Sequence, residues 1–257
     1  MSKNMTALIS AFVRMYHTEN STIKIYNDEH IKKIITAKEY NEIKTNLEQG
    51  ISYFNPNYKG TTPISWIVNN HLAPTVLARE IINEKYLLTE LKLGLKQYLI
   101  LASGYSMSAF KFNSKLKIFE LDKKDVINDK LQRLNNSNLD PKNITYIKTD
   151  FTSLWLNDLL KTTYNPTEKT FCSILALSYY LDKETFKQLA KASSEEMQSV
   201  YSIKDIEMLA QDSNFLIYEH LNRHDIDNTY FYNYNTLNPD NKITAFKGVS
   251  YVLFVKQ

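Results

Sequence analysis

The chain has 257 residues, of which 43% are hydrophobic and 23% charged, and its formal net charge is +3. A chain of this length buries enough surface for a core without cross-links, and its one cysteine, Cys172, excludes a disulfide framework and a Cys-based zinc cage. The 31 basic and 28 acidic residues nearly cancel, which excludes a nucleic-acid binder that relies on bulk charge. No apolar run approaches the roughly 20 residues of a membrane helix, so we expect no membrane partner. We further expect a cytoplasmic protein without a metal site.

The first part of the chain has the spacing of helices. Apolar residues at helical intervals predict helices over residues 7–16, 29–35, 39–49 and 76–93. We expect these helices to form an N-terminal cap, residues 1–94, packed on a core of residues 95–257.

From residue 97 onward, short apolar runs alternate with helical patterns. The predicted strands are residues 97–102, 115–121, 144–148, 170–177 and 215–220. The predicted helices between them are residues 124–135, 154–161 and 183–199. This alternation is typical of βαβ units and a mostly parallel sheet.

The pattern changes again near the C-terminus. Residues 230–235 and 249–256 read as strands with no convincing helix between them. We therefore expect an α/β fold: a Rossmann-like seven-stranded, mostly parallel sheet with an antiparallel C-terminal hairpin and a helical cap. Residues 221–240 would be a substrate-side insertion whose aromatic residues line a ligand pocket or, equally, fill the core.

The turn after the first predicted strand contains Ser103 and Gly104. Ligands of open α/β sheets lie outside the carboxyl ends of the strands, and a glycine there lets the backbone approach a cofactor. The G-x-G-x-x-G pattern of a pyrophosphate site is absent, so a cofactor without phosphates fits this turn better. A glycine in this position can also serve only to turn the chain.

Acidic residues stand at the end of the second predicted strand and just after the third. Glu120 and Asp122 point in the same direction, and either could accept hydrogen bonds from both hydroxyls of an adenosine ribose. An acid placed for the dipole of the following helix is the alternative. After the third strand, Asp150 could accept the adenine amine with Phe151 against the ring, although a helix N-cap explains Asp150 equally well.

Several of these segments resemble motifs of one family, and the resemblance runs over most of the chain. Residues 97–106 (QYLILASGYS) are similar to a "vvilGaGlDtra" turn, and residues 119–122 (FELD) match an "fEvD" strand. Residues 6–14 and 26–28 look like an opening helix and an "f-x-D-p-x-A" turn, residues 78–80 (ARE) like an Ala-Arg pair, and residues 179–184 like an "l-x-YL-x-x-e" segment. These motifs are those of the leucine carboxyl methyltransferase-like proteins, including a bacterial branch linked to polyketide O-methylation. They are class I S-adenosylmethionine-dependent methyltransferases, whose parallel sheet ends in an antiparallel hairpin.

The resemblance implies S-adenosyl-L-methionine as cofactor and a role for individual residues. Arg79 would pair with the methionine carboxylate through a two-pronged contact, and Arg14 could help it or line the substrate entrance. Gly104 would pass beside the methionyl group. The implied cofactor-binding residues are Arg79, Ser103, Gly104, Glu120, Asp122, Asp150 and Phe151.

The chain departs from the family pattern at three places. Ala102 stands where the family has its first glycine, Ser106 replaces an acid, and residues 175–176 (LA) replace a Glu-Gly pair. The missing acids raise the alternative of a noncatalytic S-adenosylmethionine-fold binding protein. A transferase that uses the aminobutyl part of the same cofactor is a further alternative, because a fold does not fix its chemistry.

The implied reaction is methylation of a hydroxyl or carboxyl group on a small-molecule acceptor, by a monomer or homodimer. A carboxylate acceptor needs no base, whereas a hydroxyl needs one within hydrogen-bond reach. His220, near the end of the fifth predicted strand, is the candidate base, and Tyr180 is the candidate to flank the transferred methyl group. A hydrogen-bonded structural histidine and a packing tyrosine are the alternatives.

Overall fold

The computed structural model describes residues 4–149, 151, 155–175 and 201–256. The chain divides into two compact units. One comprises the residues up to Lys85 together with 105–107 and 221–251, and the other comprises the described residues of 86–104, 108–220 and the stretch from Val252 onward. The helix predicted over residues 183–199 lies outside the described residues.

The first unit is helical. α1 begins where the side chain of Asn4 accepts the N–H of Ala7 at 3.0 Å, and it buries Leu8 and Phe12. The helix predicted over residues 29–35 is only a 3-10 turn, Ile31–Lys33, because Thr36 and Glu39 form a capping box that starts the next helix. The helices at the start of the chain are α1 Met5–Asn20, α2 Ala37–Gln49, α3 Ile51–Phe54, α4 Pro63–Ile67 and α5 Ala73–Lys92, with a π-helical turn at Val68–Leu72.

The strand predicted over residues 230–235 is wrong, because this segment is helical. A π-helical turn at Asp227–Phe231 leads into the helix Tyr232–Leu237. Phe231 and Tyr234 are buried three positions apart, as on one helix face, while Tyr232 is 60% exposed. Strand alternation would have placed Tyr232 and Tyr234 on the same face. The aromatic residues favour strands by propensity, but the packing of Phe231 and Tyr234 decides the conformation.

The second unit is built on four parallel strands. They are β1 Gln97–Leu101, β2 Lys117–Asp122, β3 Ile144–Lys148 and β4 Thr170–Ile174. Their order is β3-β2-β1-β4, and Leu99 of β1 lies beside Phe119 of β2 and Cys172 of β4. All five residues of β1 are buried, as expected for a central parallel strand.

Short helices connect these strands and continue after them. The remaining described helices are α6 Ala109–Phe112, α7 Lys124–Asn135, α8 Trp155–Leu160, α9 Ile203–Asp212, α10 Arg223–Ile226 and α11 Tyr232–Leu237. None of the helices in the described part of the chain is long and apolar enough to cross a bilayer.

The described strands do not form the single seven-stranded sheet that the pattern predicted. β5 Phe215–Leu221 and β6 Tyr251–Lys256 pair with each other as a separate antiparallel pair. The predicted strand between them is helical, which removes one strand from the expected hairpin. The α/β class, the parallel sheet and an antiparallel C-terminal pair are confirmed.

The strand order identifies where a ligand belongs. β2 and β3 lie to one side of β1 and β4 lies to the other. In open parallel sheets, the crevice at such a reversal, outside the carboxyl ends of the strands, is the usual binding place. The turn after β1 is therefore the first element of the site.

Candidate active site

The turn after β1 has an unusual backbone. Ala102 has φ +53° and Gly104 has φ +49°, both in the left-handed region. Between them, the N–H of Ser103 donates to the carbonyl of Leu121 at 3.1 Å, which ties the turn to β2. A left-handed alanine is disfavoured by its Cβ, so this conformation is held by its surroundings.

Asp122, the last residue of β2, holds the same turn through its side chain. Oδ2 accepts the N–H of Gly104 and Oδ1 accepts the N–H of Lys123, both at 2.7 Å. The residue is 7% exposed. Burial raises the pKa of the Asp122 carboxyl above its ordinary value, and these two backbone hydrogen bonds counteract that rise. A carboxylate has about four acceptor positions, so Asp122 keeps capacity for hydroxyl donors.

Ser103 adds a polar group without a partner. The residue is 5% exposed, and its Oγ is buried without a hydrogen bond to any described residue. Buried hydroxyls are normally hydrogen-bonded. An unsatisfied hydroxyl between Ala102 and Gly104 fits a turn that receives a polar ligand.

Glu120 has a different environment from Asp122. Its carboxylate forms an ion pair with Lys130 of α7, and both side chains are fully buried. Burial, together with the negative charge of Glu120, raises the pKa of the nearby Tyr146 phenol. The two acids that the alternation placed together are thus separated in role: Glu120 pairs with a helix, and Asp122 holds the turn.

Lys130 is a residue that the sequence reasoning missed. It lies on the buried face of α7 with Val126, Ile127 and Leu134. Lysines are almost never fully buried unless they are paired. A lysine at an apolar position of an amphipathic helix therefore predicts a buried acidic partner.

Arg79 lies in the helical unit, on α5. It is half-buried, and its Nη2 donates to Oγ of Ser10 on α1 at 2.5 Å. Arg14, also on α1, is buried and forms an ion pair with Asp28 at 2.9 Å. The interpretation of Arg14 as a residue lining an entrance does not match this burial, since its side chain is only 3% exposed.

His220 lies near the end of β5 and is half-buried. Its Nε2 is buried and has no hydrogen-bond partner among the described residues. The preceding residue, Glu219, accepts a hydrogen bond from the hydroxyl of Tyr86. A histidine with an unsatisfied buried nitrogen can take a proton from a bound hydroxyl.

The remaining predicted residues fall into two groups. Phe151 is 3% exposed and packs in a hydrophobic cluster, with its ring 6.3 Å from that of Trp155. Tyr180 and Asp150 lie outside the described residues. Within the described residues, no group of three or more His, Cys, Asp or Glu side chains could hold a metal ion.

Comparison with known proteins identifies the family of this chain. The model of the family described as Leucine carboxyl methyltransferase matches residues 7–194. The YktD protein of Bacillus subtilis (strain 168), whose name places it among the S-adenosyl-L-methionine-dependent methyltransferases, is 32% identical over 100% of both chains.

The chain also has a distant likeness to solved structures. Magnesium protoporphyrin IX methyltransferase (ChlM) from Synechocystis PCC 6803, with bound SAM, is 10% identical with a TM-score of 0.42, covering 70% of this chain and 88% of that one. Mitomycin 7-O-methyltransferase MmcR is 11% identical with a TM-score of 0.35, covering 88% of this chain and 70% of that one. The family match covers well over half of the chain. This protein belongs to the leucine carboxyl methyltransferase family of S-adenosyl-L-methionine-dependent methyltransferases.

Proposed function

We propose that the protein is an S-adenosylmethionine-dependent O-methyltransferase whose acceptor is a small molecule with a hydroxyl or carboxyl group. The observation that carries this proposal is the Asp122 carboxylate, buried at the end of β2 and hydrogen-bonded to the N–H of Gly104. A buried acid with remaining acceptor capacity beside a glycine turn suits a ribose next to a backbone that must come close to the ligand.

The polar side chains around this turn fit the cofactor. Asp122 accepts from the ribose hydroxyls, and the unsatisfied Oγ of Ser103 meets the polar amino-acid end. When bound, S-adenosylmethionine supplies a methyl group activated on a sulfonium. Since Glu120 is already paired with Lys130, we assign the ribose to Asp122 and not to Glu120.

His220 favours a hydroxyl acceptor over a carboxyl. A hydroxyl must lose its proton as its oxygen bonds to carbon, and Nε2 of His220, which has no hydrogen-bond partner among the described residues, can take it. A carboxylate acceptor would need no such group. The rest of the catalytic contribution is positioning, because displacement at a sulfonium requires the oxygen in line with the methyl carbon.

Calorimetry with S-adenosylhomocysteine tests the cofactor assignment. We expect saturable binding by the wild-type chain and at least tenfold weaker binding by Asp122→Ala. Glu207→Ala, on the exposed part of α9, is the control and should bind like wild type. Absence of binding at millimolar ligand would contradict the proposal.

Product analysis separates the reaction classes. After incubation with S-adenosylmethionine and a panel of small phenols, alcohols and carboxylic acids, mass spectrometry should detect S-adenosylhomocysteine with a methylated acceptor. Release of methylthioadenosine would indicate aminobutyl transfer instead. With a hydroxyl acceptor, His220→Gln should lower kcat, while the Kd of S-adenosylhomocysteine stays the same.

A further inference from the structure

We propose that the first, helical unit carries a ligand site of its own, a cavity that binds a small oxyanion: the phosphate or carboxylate group of a small molecule. The cavity lies between Asn69 and Asn70 on one side and residues 223 and 244–247 on the other, all of which belong to this unit. The proposal is independent of the proposed function, because none of the described residues that line the cavity is assigned to the cofactor.

The cavity is small and its lining is polar. Its volume is about 200 Å³, below the roughly 300–1,000 Å³ of pockets that hold drug-sized ligands. Apart from Ala245 and Phe246, the lining side chains are all polar: Asn69, Asn70, Arg223, Thr244 and Lys247. A cavity of this size holds a small ion or the end group of a larger molecule, and this lining favours a polar one.

The charge of the lining selects an anion. Two of the described lining residues, Arg223 and Lys247, are cations, and none is an acid. Lys247 makes neither a hydrogen bond nor an ion pair within the described part of the chain. Arg223 pairs with Asp227 through Nε at 3.5 Å, which is longer than a good hydrogen bond, so its guanidinium keeps N–H donors for a ligand. Asp227 offsets one of the two charges, and the remaining positive charge attracts an anion.

Neutral donors complete the site. Nδ2 of Asn70 donates one N–H to the carbonyl of Trp66 at 2.9 Å, and its second N–H has no acceptor among the described residues. The hydroxyl of Thr244 likewise makes no hydrogen bond to a described residue. The planar fork of an arginine matches the oxygens of a carboxylate or a phosphate, and amide and hydroxyl donors add further hydrogen bonds to the same group.

One wall of the cavity is held in place by side chains outside the lining. Asn235 accepts the N–H of Ile243 and donates to its carbonyl, both at 2.8 Å. Oδ1 of Asp227 accepts the N–H of Ala245 at 2.7 Å. Since Asp227 also pairs with Arg223, one carboxylate sets the guanidinium against this wall. The site is thus formed before a ligand arrives, which lowers the entropy cost of binding.

Titration with inorganic phosphate and with acetate tests the site, followed in the ¹H–¹⁵N spectrum of the full chain. Sodium chloride at the same ionic strength is the reference. We expect saturable shifts of the amide signals of residues 244–247, with a Kd of about 1–10 mM for the tighter-binding anion, because both cations are exposed to solvent and salt. Tighter binding of phosphate would assign a phosphate group, and tighter binding of acetate a carboxylate.

Charge-removing variants locate the binding. Arg223→Gln and Lys247→Gln should each weaken it at least about fivefold. The matched control is Lys242→Gln, because Lys242 is an exposed lysine of the same segment that lies outside the lining and has no ion pair with a described residue. This control should bind within about twofold of wild type. Thermal melting shows whether each variant is folded at the temperature of the titration.

Two results would overturn the proposal. One is the absence of saturable shifts at residues 244–247 with either anion. The other is an equal loss of affinity in Lys242→Gln and Lys247→Gln, which would mean that the anion responds only to overall surface charge. Binding of S-adenosylhomocysteine is measured separately: a chain that binds it but neither anion keeps the proposed function and loses this site, and a chain that binds only the anion does the reverse.

Discussion

The N–H of Gly104 donates to Oδ2 of Asp122 at 2.7 Å, so the residue that ends β2 fixes the turn that follows β1. The second carboxylate oxygen accepts the N–H of Lys123 at the start of α7. One buried side chain thus joins two strand ends and a helix at the place where the strand order reverses. This arrangement requires an acceptor at both oxygens, which a carboxylate has and an amide lacks.

Asp122→Asn should therefore loosen the turn. The amide must place its NH₂ group against one of two N–H donors, which loses a buried hydrogen bond at a cost of about 1–3 kcal/mol. We expect a lower free energy of unfolding by urea and about tenfold weaker binding of S-adenosylhomocysteine. Glu207→Gln, at an exposed position in the middle of α9, is the control and should change neither. An unchanged affinity in Asp122→Asn would mean that Asp122 does not contact the ligand.

Ala102→Gly should stabilise the protein. Alanine at φ +53° costs roughly 1–2 kcal/mol, which glycine avoids, although glycine also gives the unfolded chain more freedom. We expect a net gain of about 1 kcal/mol in the free energy of unfolding. Asn138→Gly is the control, because Asn138 has the same φ in an exposed position and asparagine tolerates this region. A loss of stability in Ala102→Gly would show that the methyl group makes packing contacts that outweigh the strain.

Much of the fold was readable from the sequence because strand and helix patterns there were regular. The sequence predicts α7 at residues 124–135 and β3 at residues 144–148, and the structure has both with these bounds. Gly104 and Asp122 were singled out for a topological reason, since one follows the buried strand β1 and the other ends β2. The helix at residues 232–237 was missed because its aromatic residues favour strands, and only packing partners elsewhere in the chain decide its conformation.

The hydrogen bonds of Arg79 and Arg14 could not be predicted from the sequence, for a different reason. Ser10 and Arg79 are 69 positions apart in the chain, and Arg14 and Tyr105 are 91 apart. Periodicity and motif spacing report on neighbours within an element. They carry no information on which side chain of one helix meets which residue of another.

The Glu120–Lys130 pair should be a structural element. Lys130→Met leaves a buried, uncompensated carboxylate and should cost about 3–5 kcal/mol in the free energy of unfolding. Glu120→Leu with Lys130→Met should recover most of that loss, because two apolar side chains need no compensation. Urea denaturation at pH 7 measures both.

The exposed pair of Lys161 and Asp158, at 3.0 Å, provides the matched comparison. Lys161→Met should lower the free energy of unfolding much less than Lys130→Met does, since exposed ion pairs contribute little. The folded Glu120→Leu/Lys130→Met variant should still bind S-adenosylhomocysteine like wild type. Lost binding in that variant would indicate that Glu120, and not Asp122 alone, meets the cofactor.

His17 should make the protein less stable in mild acid. Its Nε2 accepts the N–H of Ile25 at 2.9 Å, and burial lowers its pKa to about 4. Between the ordinary pKa near 6.5 and about 4, the unfolded chain binds a proton that the folded chain excludes. Stability from this group is therefore complete above pH 6.5 and falls as the pH is lowered, by about 2 kcal/mol at pH 5.

Replacement of His17 isolates this contribution. His17→Gln keeps a side-chain acceptor but cannot be protonated in this range, so its free energy of unfolding should fall less between pH 7 and pH 5 than that of wild type. His224→Gln replaces an exposed histidine and should follow the wild-type curve. Parallel curves for His17→Gln and wild type would contradict the assignment of the acid sensitivity to His17.

The left-handed alanine at position 102 also shows how a turn can keep its path without glycine. Its two successors are tethered to β2 through the carbonyl of Leu121 and the carboxylate of Asp122, so the path of the chain is imposed from the neighbouring strand. Glycine at this position lowers the energy of a shape that the tethers would enforce anyway. The loop of this chain therefore keeps its path without the glycine of the family motif, because Leu121 and Asp122 of β2 hold it from outside.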